Sequence, residues 1–129
     1  MTNSFTKKER LCSKKLIEDL IHTKLSVTSY PYRILYKTST VTNEYPARIA
    51  ISVAKKRFKK AVDRNRIKRI TREAYRLNKQ EYLYSKLPSR VCIDMICIYI
   101  SDSICDYKKA DKAIQKALKK ISFQITSEL

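Results

Sequence analysis

The sequence predicts an α+β sandwich, in which helices pack against a β-sheet. Residues 48–53 alternate in polarity, as expected of a strand with one buried face. Residues 91–100 are almost continuously apolar and β-prone, which indicates a central strand covered on both faces. Apolar residues recur at helical spacing between these strands and after them. The predicted order is helix, two or three strands, helix, strand and helix.

The first half of the chain is predicted to contain one helix and two strands. A short amphipathic helix covers about residues 13–22, with Ser13 as a candidate N-cap and with Thr6 and Glu9 fitting a capping box. Residues 28–38 alternate and are rich in β-branched and aromatic types, which predicts a strand. A polar turn separates it from the second strand, which has one face made by Ile49, Ile51 and Val53.

The second half adds two longer helices around the central strand. A basic helix is predicted at about 59–79, with an apolar stripe of Val62, Ile67, Ile70, Ala74 and Leu77, and residues 80–90 form a loop. Asp106 or Ser103 caps a last helix. Its apolar stripe is Ala110, Ala113, Ile114, Ala117, Leu118 and Ile121. Its outer face carries Lys108, Lys109, Lys112, Lys116, Lys119 and Lys120.

Length and composition predict one domain over residues 1–129, with loose ends at 1–5 and 124–129. No apolar run reaches membrane-spanning length and the start lacks a signal-peptide core, so we expect a cytoplasmic protein without a membrane partner. The four cysteines form no CxxC pair, which favours buried reduced thiols over a metal site. Glycine is absent, which excludes a glycine-rich phosphate loop.

The strongest functional signal is the positive charge of residues 55–76. This segment holds eleven basic and two acidic residues, a net charge of +9 out of +17 for the whole chain. Charge of this density indicates a polyanionic partner, and phosphate backbones are the commonest one. Because the apolar residues keep helical spacing, the arginines are expected on one face of a folded helix.

The same segment carries a family signature. Residues 51–56 (ISVAKK), 60–69 (KAVDRNRIKR) and 71–76 (TREAYR) resemble the protein subunit of bacterial ribonuclease P in order and spacing. Arg10-Leu11 and residues 34–36 and 94–98 fit the family more weakly. The resemblance implies a mainly antiparallel four-stranded sheet with three helices in the order αβββαβα. It also implies a left-handed βαβ crossover, against the general handedness rule, and a fold similar to a ribosomal protein.

The function implied by the resemblance is that of an accessory subunit. In this family an RNA is the catalyst and cleaves precursor tRNA with magnesium, giving the mature 5′ end. The protein alone is expected to be inactive and to bind no cofactor itself. The implied partners are ribonuclease P RNA, in a 1:1 complex with a protein monomer, and precursor tRNA. The basic helix binds the catalytic RNA, and a cleft between the sheet and the first helix binds the single-stranded 5′ leader.

The resemblance carries two sets of residues over to this chain. The residues matching the contact with the catalytic RNA are Lys55, Lys56, Lys60, Arg64, Asn65, Arg66, Lys68, Arg69 and Arg72. Those matching the leader cleft are Ile17, Ile21, Ile34, Tyr36, Ser52 and Ile98. Tyr36 is either a ring that stacks on a leader base or an ordinary half-buried tyrosine of the sheet. Ile17 and Ile21 stand where the family usually has phenylalanines, and Ile100 stands where it usually has a basic residue.

No residue pattern predicts catalysis by the protein itself. His22 is the only histidine and is expected to cap a helix or lie on the surface, so no Ser/His/Asp or Cys/His arrangement exists. Asp102, Asp106 and Asp111 are the only close carboxylates, and Asp102 and Asp106 are expected in a turn and a helix cap. The sequence therefore predicts no catalytic residue and no metal ligand in the protein. One alternative is a structural RNA-binding protein of the ribosome, without a role in tRNA processing. A DNA-binding helix protein fits less well, since helix-turn-helix spacing is missing.

Overall fold

The computed structural model describes residue 5 and residues 9–39, 46–88 and 91–127. Its elements follow the predicted order αβββαβα, with a short 3₁₀ helix before the last strand. They are α1 (Lys14–Ile21), β1 (Ser26–Ser29), β2 (Tyr32–Ser39), β3 (Ala47–Ser52), α2 (Ala61–Tyr82), the 3₁₀ helix (Tyr84–Lys86), β4 (Cys92–Tyr99) and α3 (Tyr107–Ser127). Thr6 of the predicted capping box lies outside the described residues.

The four strands form one mixed sheet in the order β1-β2-β4-β3. β2 is antiparallel to both of its neighbours, and β3 is parallel to β4. The mainly antiparallel sheet and the central position of β4 are therefore confirmed. α2 makes the crossover between the parallel strands β3 and β4. The left-handed sense of this crossover stays a prediction from the family.

The single strand predicted at 28–38 is wrong, because the chain turns back within it. β1 and β2 form a hairpin around Tyr30 and Pro31, whose peptide bond is cis, and Ser29 pairs with Tyr32. Proline has no N–H to donate to a ladder and its ring fixes φ, so Pro31 favours the turn. Polarity alone hides this break, since the alternation continues on both sides of it.

Each face of the sheet has its own apolar cluster. The larger one lies under α2 and α3 and includes Ile34, Met95 and Ile114, all fully buried. The smaller one lies under α1 and consists of Leu11, Leu20, Leu35 and Ile96. β4 contributes to both clusters, which explains its continuous apolar sequence.

The predicted helix caps of α1 and α3 are confirmed. Ser13 Oγ accepts a hydrogen bond from the Leu16 amide (3.4 Å), and His22 is the exposed C-cap of α1. Asp106 Oδ1 accepts from the Lys109 amide (2.8 Å) at the start of α3. The six stripe residues of α3 are all buried and its six lysines are all exposed, as predicted. α3 runs on to Ser127, past the point where a loose end was expected.

The apolar stripe predicted for α2 is partly wrong. Val62 and Leu77 are 73% and 42% exposed, while the buried face includes the polar residues Thr71, Asn78 and Lys79. These polar side chains find partners inside the protein, so helical spacing of apolar residues does not define the packed face. The helix also runs to Tyr82, into the segment predicted as a loop.

Candidate nucleic-acid interface

The outer face of α2 presents a cluster of arginines, which we call the arginine surface: Asn65, Arg66, Arg69 and Arg72. All four side chains are exposed. They lie on one side of the helix because Ile67 and Ala74, on the other side, are buried in the main core. The rigid helix therefore holds three guanidinium groups and one amide in fixed register. Such planar, forked donors suit phosphate oxygens and stacked bases.

Arg64 has a structural role that the sequence did not reveal. Its side chain is half-buried, and Nη1 donates to the carbonyl oxygens of Phe58 (2.8 Å) and Lys59 (2.9 Å). These bonds tie the start of α2 to the segment that follows β3. Lys60, the N-cap residue, makes no side-chain cap bond to the helix amides, and Arg64 fixes this end through the two carbonyl oxygens that precede the helix. Lys68 is also half-buried.

The lysines predicted to extend the basic surface lie on an anchored connection between β3 and α2. Lys55, Lys56 and Lys60 are exposed there. The connection is held by Phe58, which is buried with its ring centroid 5.9 Å from that of Tyr99. Arg57 also pairs with Asp102 through Nη1 and Oδ1 at 2.8 Å. The connection therefore presents its lysines beside the arginine surface.

Glu73 orients an arginine on α2. Arg76 Nη2 donates to Glu73 Oε1 (2.5 Å) and Arg76 Nε donates to Oε2 (3.1 Å). The hydrogen bond from Arg76 lowers the pKa of the Glu73 carboxyl. Because this pair is exposed, its contribution to stability is small.

The sheet face that carries α1 is built from three rows across β2, β4 and β3. The first row is Arg33, Ile98 and Ser52. The second is Leu35, Ile96 and Ala50, and the third is Lys37, Asp94 and Arg48. α1 covers the second row through the smaller apolar cluster. In the first row Ile98 packs against the edge of this cluster, Ser52 is half-buried and Arg33 is exposed.

The predicted cleft residues Ile34 and Tyr36 lie on the opposite sheet face, and this part of the prediction is wrong. Ile34 pairs with Cys97 and Tyr36 with Met95, all in the main core. Tyr36 is 1% exposed and its hydroxyl donates to Gln124 Oε1 of α3, so it cannot stack on a base. The cross-strand neighbour of Ile98 is Arg33, one residue out of phase with Ile34.

Of the other predicted cleft residues, Ile17 lines a groove on the α1 side of the sheet, whereas Ile21, Ser52 and Ile98 lie outside its described lining. This groove of about 280 Å³ runs beside β3, with an apolar wall that includes Ile17 and Ala50. Arg10 and Arg72 also line it, so basic residues come from the N-terminal segment and from the arginine surface. Ile21 is 55% exposed, one helical turn beyond Ile17. The groove is therefore continuous with the arginine surface through Arg72.

Two basic residues on the α1 face of the sheet were not among the predicted site residues. Arg33 and Lys37 of β2 are exposed on the same face as Ser52 and Ile98. Their spacing of four residues along a strand was the available signal, since residues i and i+4 share a face. Arg48 instead meets Asp94 through two hydrogen bonds (2.8 and 3.0 Å), which closes that end of the face.

A buried ion pair fixes the N-terminal wall of the groove. Glu9 is fully buried and pairs with Lys79 of α2, and it also accepts from the Tyr84 hydroxyl at 2.5 Å. Burial raises the pKa of Tyr84 far above its ordinary value. The next residues join the sheet edge, since the Leu11 amide donates to the Ile49 carbonyl (3.0 Å). Glu9 thus anchors the segment that places Arg10 at the groove.

In the described parts of the chain, no group of three or more His, Cys, Asp or Glu residues is placed to hold a metal ion. Cys92 and Cys97 are buried thiols as expected, but Cys12 is exposed. Ile100 is half-buried and its amide donates to the Pro31 carbonyl. An isoleucine side chain at this position offers no charge to a phosphate. No helix within the described ranges is long and apolar enough to cross a membrane.

Comparisons with known proteins place the chain among similar sequences and folds. A family model described as Ribonuclease P matches residues 5–122. The ribonuclease P protein component of Porphyromonas gingivalis is 35% identical over 127 residues, covering 98% of this chain and 92% of the relative. The ribonuclease P protein structure from Thermotoga maritima superposes with a TM-score of 0.67 at 23% identity, covering 87% of this chain and 96% of that one. The Staphylococcus aureus protein gives 0.66 at 21% identity, covering 89% and 96%. The solved structures share the fold.

Proposed function

The chain belongs to the ribonuclease P protein family, and from this premise we propose how it divides its work between two surfaces. The arginine surface binds ribonuclease P RNA. The groove beside α1 binds the single-stranded 5′ leader of precursor tRNA. The observation that supports this division is the shared position of Arg72, which belongs to the arginine surface and lines the groove. One protein monomer can then hold both RNAs next to each other.

The arginine surface acts by neutralising phosphates. Arg66, Arg69 and Arg72 project from a helix whose inner face is fixed in the core, so little conformational freedom is lost on binding. The lysines of the β3–α2 connection extend the same positive field. Bringing RNA helices close together costs electrostatic energy, which these cations offset, so the RNA needs less magnesium to fold.

The groove binds the leader through apolar contact and through phosphates. Ile17 and Ala50 offer an apolar wall to the bases, and Arg10 and Arg72 supply cations for the backbone. Arg33 adds a further exposed cation on the same sheet face. With Tyr36 buried, the apolar contacts offered to bases come from aliphatic side chains such as Ile17 and from the ring of Phe5, which also lines the groove. Precursor therefore binds better than the mature product, which has no leader.

Catalysis in this proposal belongs to the RNA. The reaction is endonucleolytic removal of the leader with magnesium bound by the RNA, and the protein alone has no hydrolytic activity. We place the complex in the cytoplasm with one protein per RNA. The ribosomal alternative is not favoured, because the family model and the relatives are all of the ribonuclease P type.

The proposal is tested by cleavage of precursor tRNA by a bacterial ribonuclease P RNA at low magnesium. Wild-type protein is expected to give cleavage at the mature 5′ end only when both components are present. Arg66→Ala with Arg69→Ala should remove most of this stimulation without unfolding the protein. Lys14→Ala with Lys15→Ala is the charge-matched control, because these lysines of α1 are exposed and do not line the groove.

The outcome against the proposal is equally clear. The proposal is contradicted if wild-type protein binds the RNA tightly but does not stimulate cleavage, even with the cognate RNA. That result would favour the alternative of a structural RNA-binding protein of the ribosome. A separate pair of variants tests the leader site. Arg33→Ala should lower the ratio of precursor to mature tRNA affinity, and Lys24→Ala, exposed beyond α1, should leave that ratio unchanged.

A further inference from the structure

α3 carries a second basic surface, separate from the arginine surface. Six lysines and one phenylalanine fall within an arc of about 120° on this helix and extend over about 22 Å. All seven side chains are exposed, and Phe123 is 72% exposed. We call them the lysine surface: Lys108, Lys109, Lys112, Lys116, Lys119, Lys120 and Phe123.

The charge of the lysine surface is of one sign. In the part of the chain that the structure describes, none of its six ammonium groups is paired with a carboxylate. Asp111, the one acidic residue inside α3, points away from the arc and bonds Asn78 (2.6 Å) and Gln115 (3.2 Å). A solvated helix face usually mixes signs. Six like charges in this space repel one another until an anion neutralises them.

The lysine surface borders a groove with an aromatic wall. A space of about 410 Å³ lies between β1 and α3, lined on the α3 side by Lys109, Lys112, Lys116 and Lys120. On the β1 side stands Tyr30, whose ring is 59% exposed and lies 5.4 Å from Lys109 Nζ. Cations along a groove beside an exposed ring are what single-stranded nucleic acid binds, with phosphates on the cations and a base on the ring.

The two basic surfaces lie at opposite edges of the sheet. α3 packs on the edge strand β1, where Ser29 Oγ donates to the Ala113 carbonyl (2.8 Å) and Lys120 Nζ to the Thr28 carbonyl (3.3 Å). Arg72 lies at the other edge, against β3. A phosphate chain at one edge therefore leaves the other free, and only a large RNA can contact both.

We propose that the lysine surface binds an unpaired segment of ribonuclease P RNA, distant from the segment held by the arginine surface. The occupant follows from charge complementarity, from the exposed ring of Tyr30 and from the size of an RNA that reaches both edges. This inference rests on the proposed function, because it takes ribonuclease P RNA as the partner. The protein then clamps one RNA at two points.

The test compares two triple variants for binding to ribonuclease P RNA alone, without tRNA. Lys112→Gln, Lys116→Gln and Lys120→Gln remove three charges from the groove. Lys14→Gln, Lys15→Gln and Lys24→Gln remove three exposed charges near α1 as the matched control. The groove variant should raise Kd roughly 10- to 100-fold near 0.15 M salt and make the slope of log affinity against log salt shallower by about two. The control should change neither.

Two further measurements separate this inference from the proposed function. In hydroxyl-radical footprinting, the groove variant should lose protection of one unpaired RNA segment and keep the segment that depends on Arg66 and Arg69. Tyr30→Ala should weaken binding about tenfold, and Tyr30→Phe, which keeps the ring, should restore it. Thermal unfolding of all variants reports whether they are folded.

Three results overturn the inference. The first is an unchanged footprint and salt slope for the groove variant. The second is a groove variant that alters precursor affinity alone, which assigns the surface to the substrate. The third is equal losses for the groove and control variants, which reduces the effect to net charge. In each case Arg66→Ala with Arg69→Ala still reports on the proposed function by itself.

Discussion

α2 and α3 are both long, basic helices on the same sheet face, yet they are built by different rules. α3 has an apolar inner face and a lysine outer face, so its sequence pattern and its packing coincide. α2 exposes Val62 and Leu77 and buries Thr71, Asn78 and Lys79. Its outer face carries arginines, whose fork geometry is demanding. The difference shows that α2 is oriented by specific polar contacts, whereas α3 is oriented by apolar burial.

The largest expected effect comes from the buried ion pair of α2. Lys79→Met should lower the free energy of unfolding by about 3–5 kcal/mol, because Glu9 is left in the core without its cation. Lys112→Met, on the exposed face of α3, should change stability by less than about 0.5 kcal/mol. Urea denaturation measures both. Near-equal values for the two variants would remove the distinction between the helices.

The double variant Glu9→Gln with Lys79→Met tests whether the loss in Lys79→Met comes from the unpaired charge of Glu9. It removes the buried charge and its partner together, so it should be more stable than Lys79→Met alone. Because Glu9 anchors the segment that places Arg10 at the groove, this variant should also bind the leader less well. A leader affinity equal to that of the wild type would show that the anchor is purely structural.

Alkaline pH should act on the α2 side of the core. Burial raises the pKa of Tyr75, which lies on α2, and of Tyr32, which bonds Thr71 of α2 at 2.8 Å. Their stabilising effect is therefore complete below pH 10, the pKa of an unfolded tyrosine, and is lost as pH rises above it. In that range each of these tyrosines should lower the free energy of unfolding by about 1.4 kcal/mol per pH unit.

The variant Tyr32→Phe isolates one of these contributions. Its free energy of unfolding should fall with pH less steeply than that of the wild type, by about 1.4 kcal/mol per unit above pH 10. Tyr30→Phe is the control, because that ring is 59% exposed. A parallel pH profile for Tyr32→Phe and the wild type would mean that Tyr32 ionises in the folded protein.

The smallest effect separates the starts of the two helices. Asp106→Ala should destabilise the protein by about 1 kcal/mol, because the Lys109 amide loses its 2.8 Å bond. Lys60→Ala should cost under about 0.5 kcal/mol, since Lys60 makes no side-chain cap bond. Thermal unfolding can rank the two. A larger loss at Lys60 would contradict the role given to Arg64 at the start of α2.

The two helices also differ in how much of their structure the sequence could predict. The caps Ser13 and Asp106, the central strand and both faces of α3 were predicted correctly, because each depends on local chemistry or on burial by one rule. The exposure of Arg66, Arg69 and Arg72 on a folded helix agrees with the sequence pattern, and their contact with RNA stays a prediction from the family signature. The packed face of α2 did not follow, since its polar residues pair with Glu9, Tyr32 and Asp111, which are far away in the sequence.

The leader cleft was the least predictable part. β4 is apolar on both faces, so its sequence pattern does not show which residues face α1. Ile34 and Tyr36 were assigned to the α1 face, but the residues on that face are one position away along β2. Only the cross-strand pairing shows that Arg33 is next to Ile98. The groove itself depends on the Glu9 anchor, which joins residues seventy positions apart through a contact that no local pattern encodes.

The most direct test of the account is the salt dependence of binding to ribonuclease P RNA. If the arginine surface and its flanking lysines neutralise about six phosphates, the slope of log affinity against log salt should be at least as steep as about −4 to −5. Arg66→Ala with Arg69→Ala should make it shallower by about two. A wild-type slope near −1, or a slope that these substitutions leave unchanged, would contradict the assignment of RNA binding to α2.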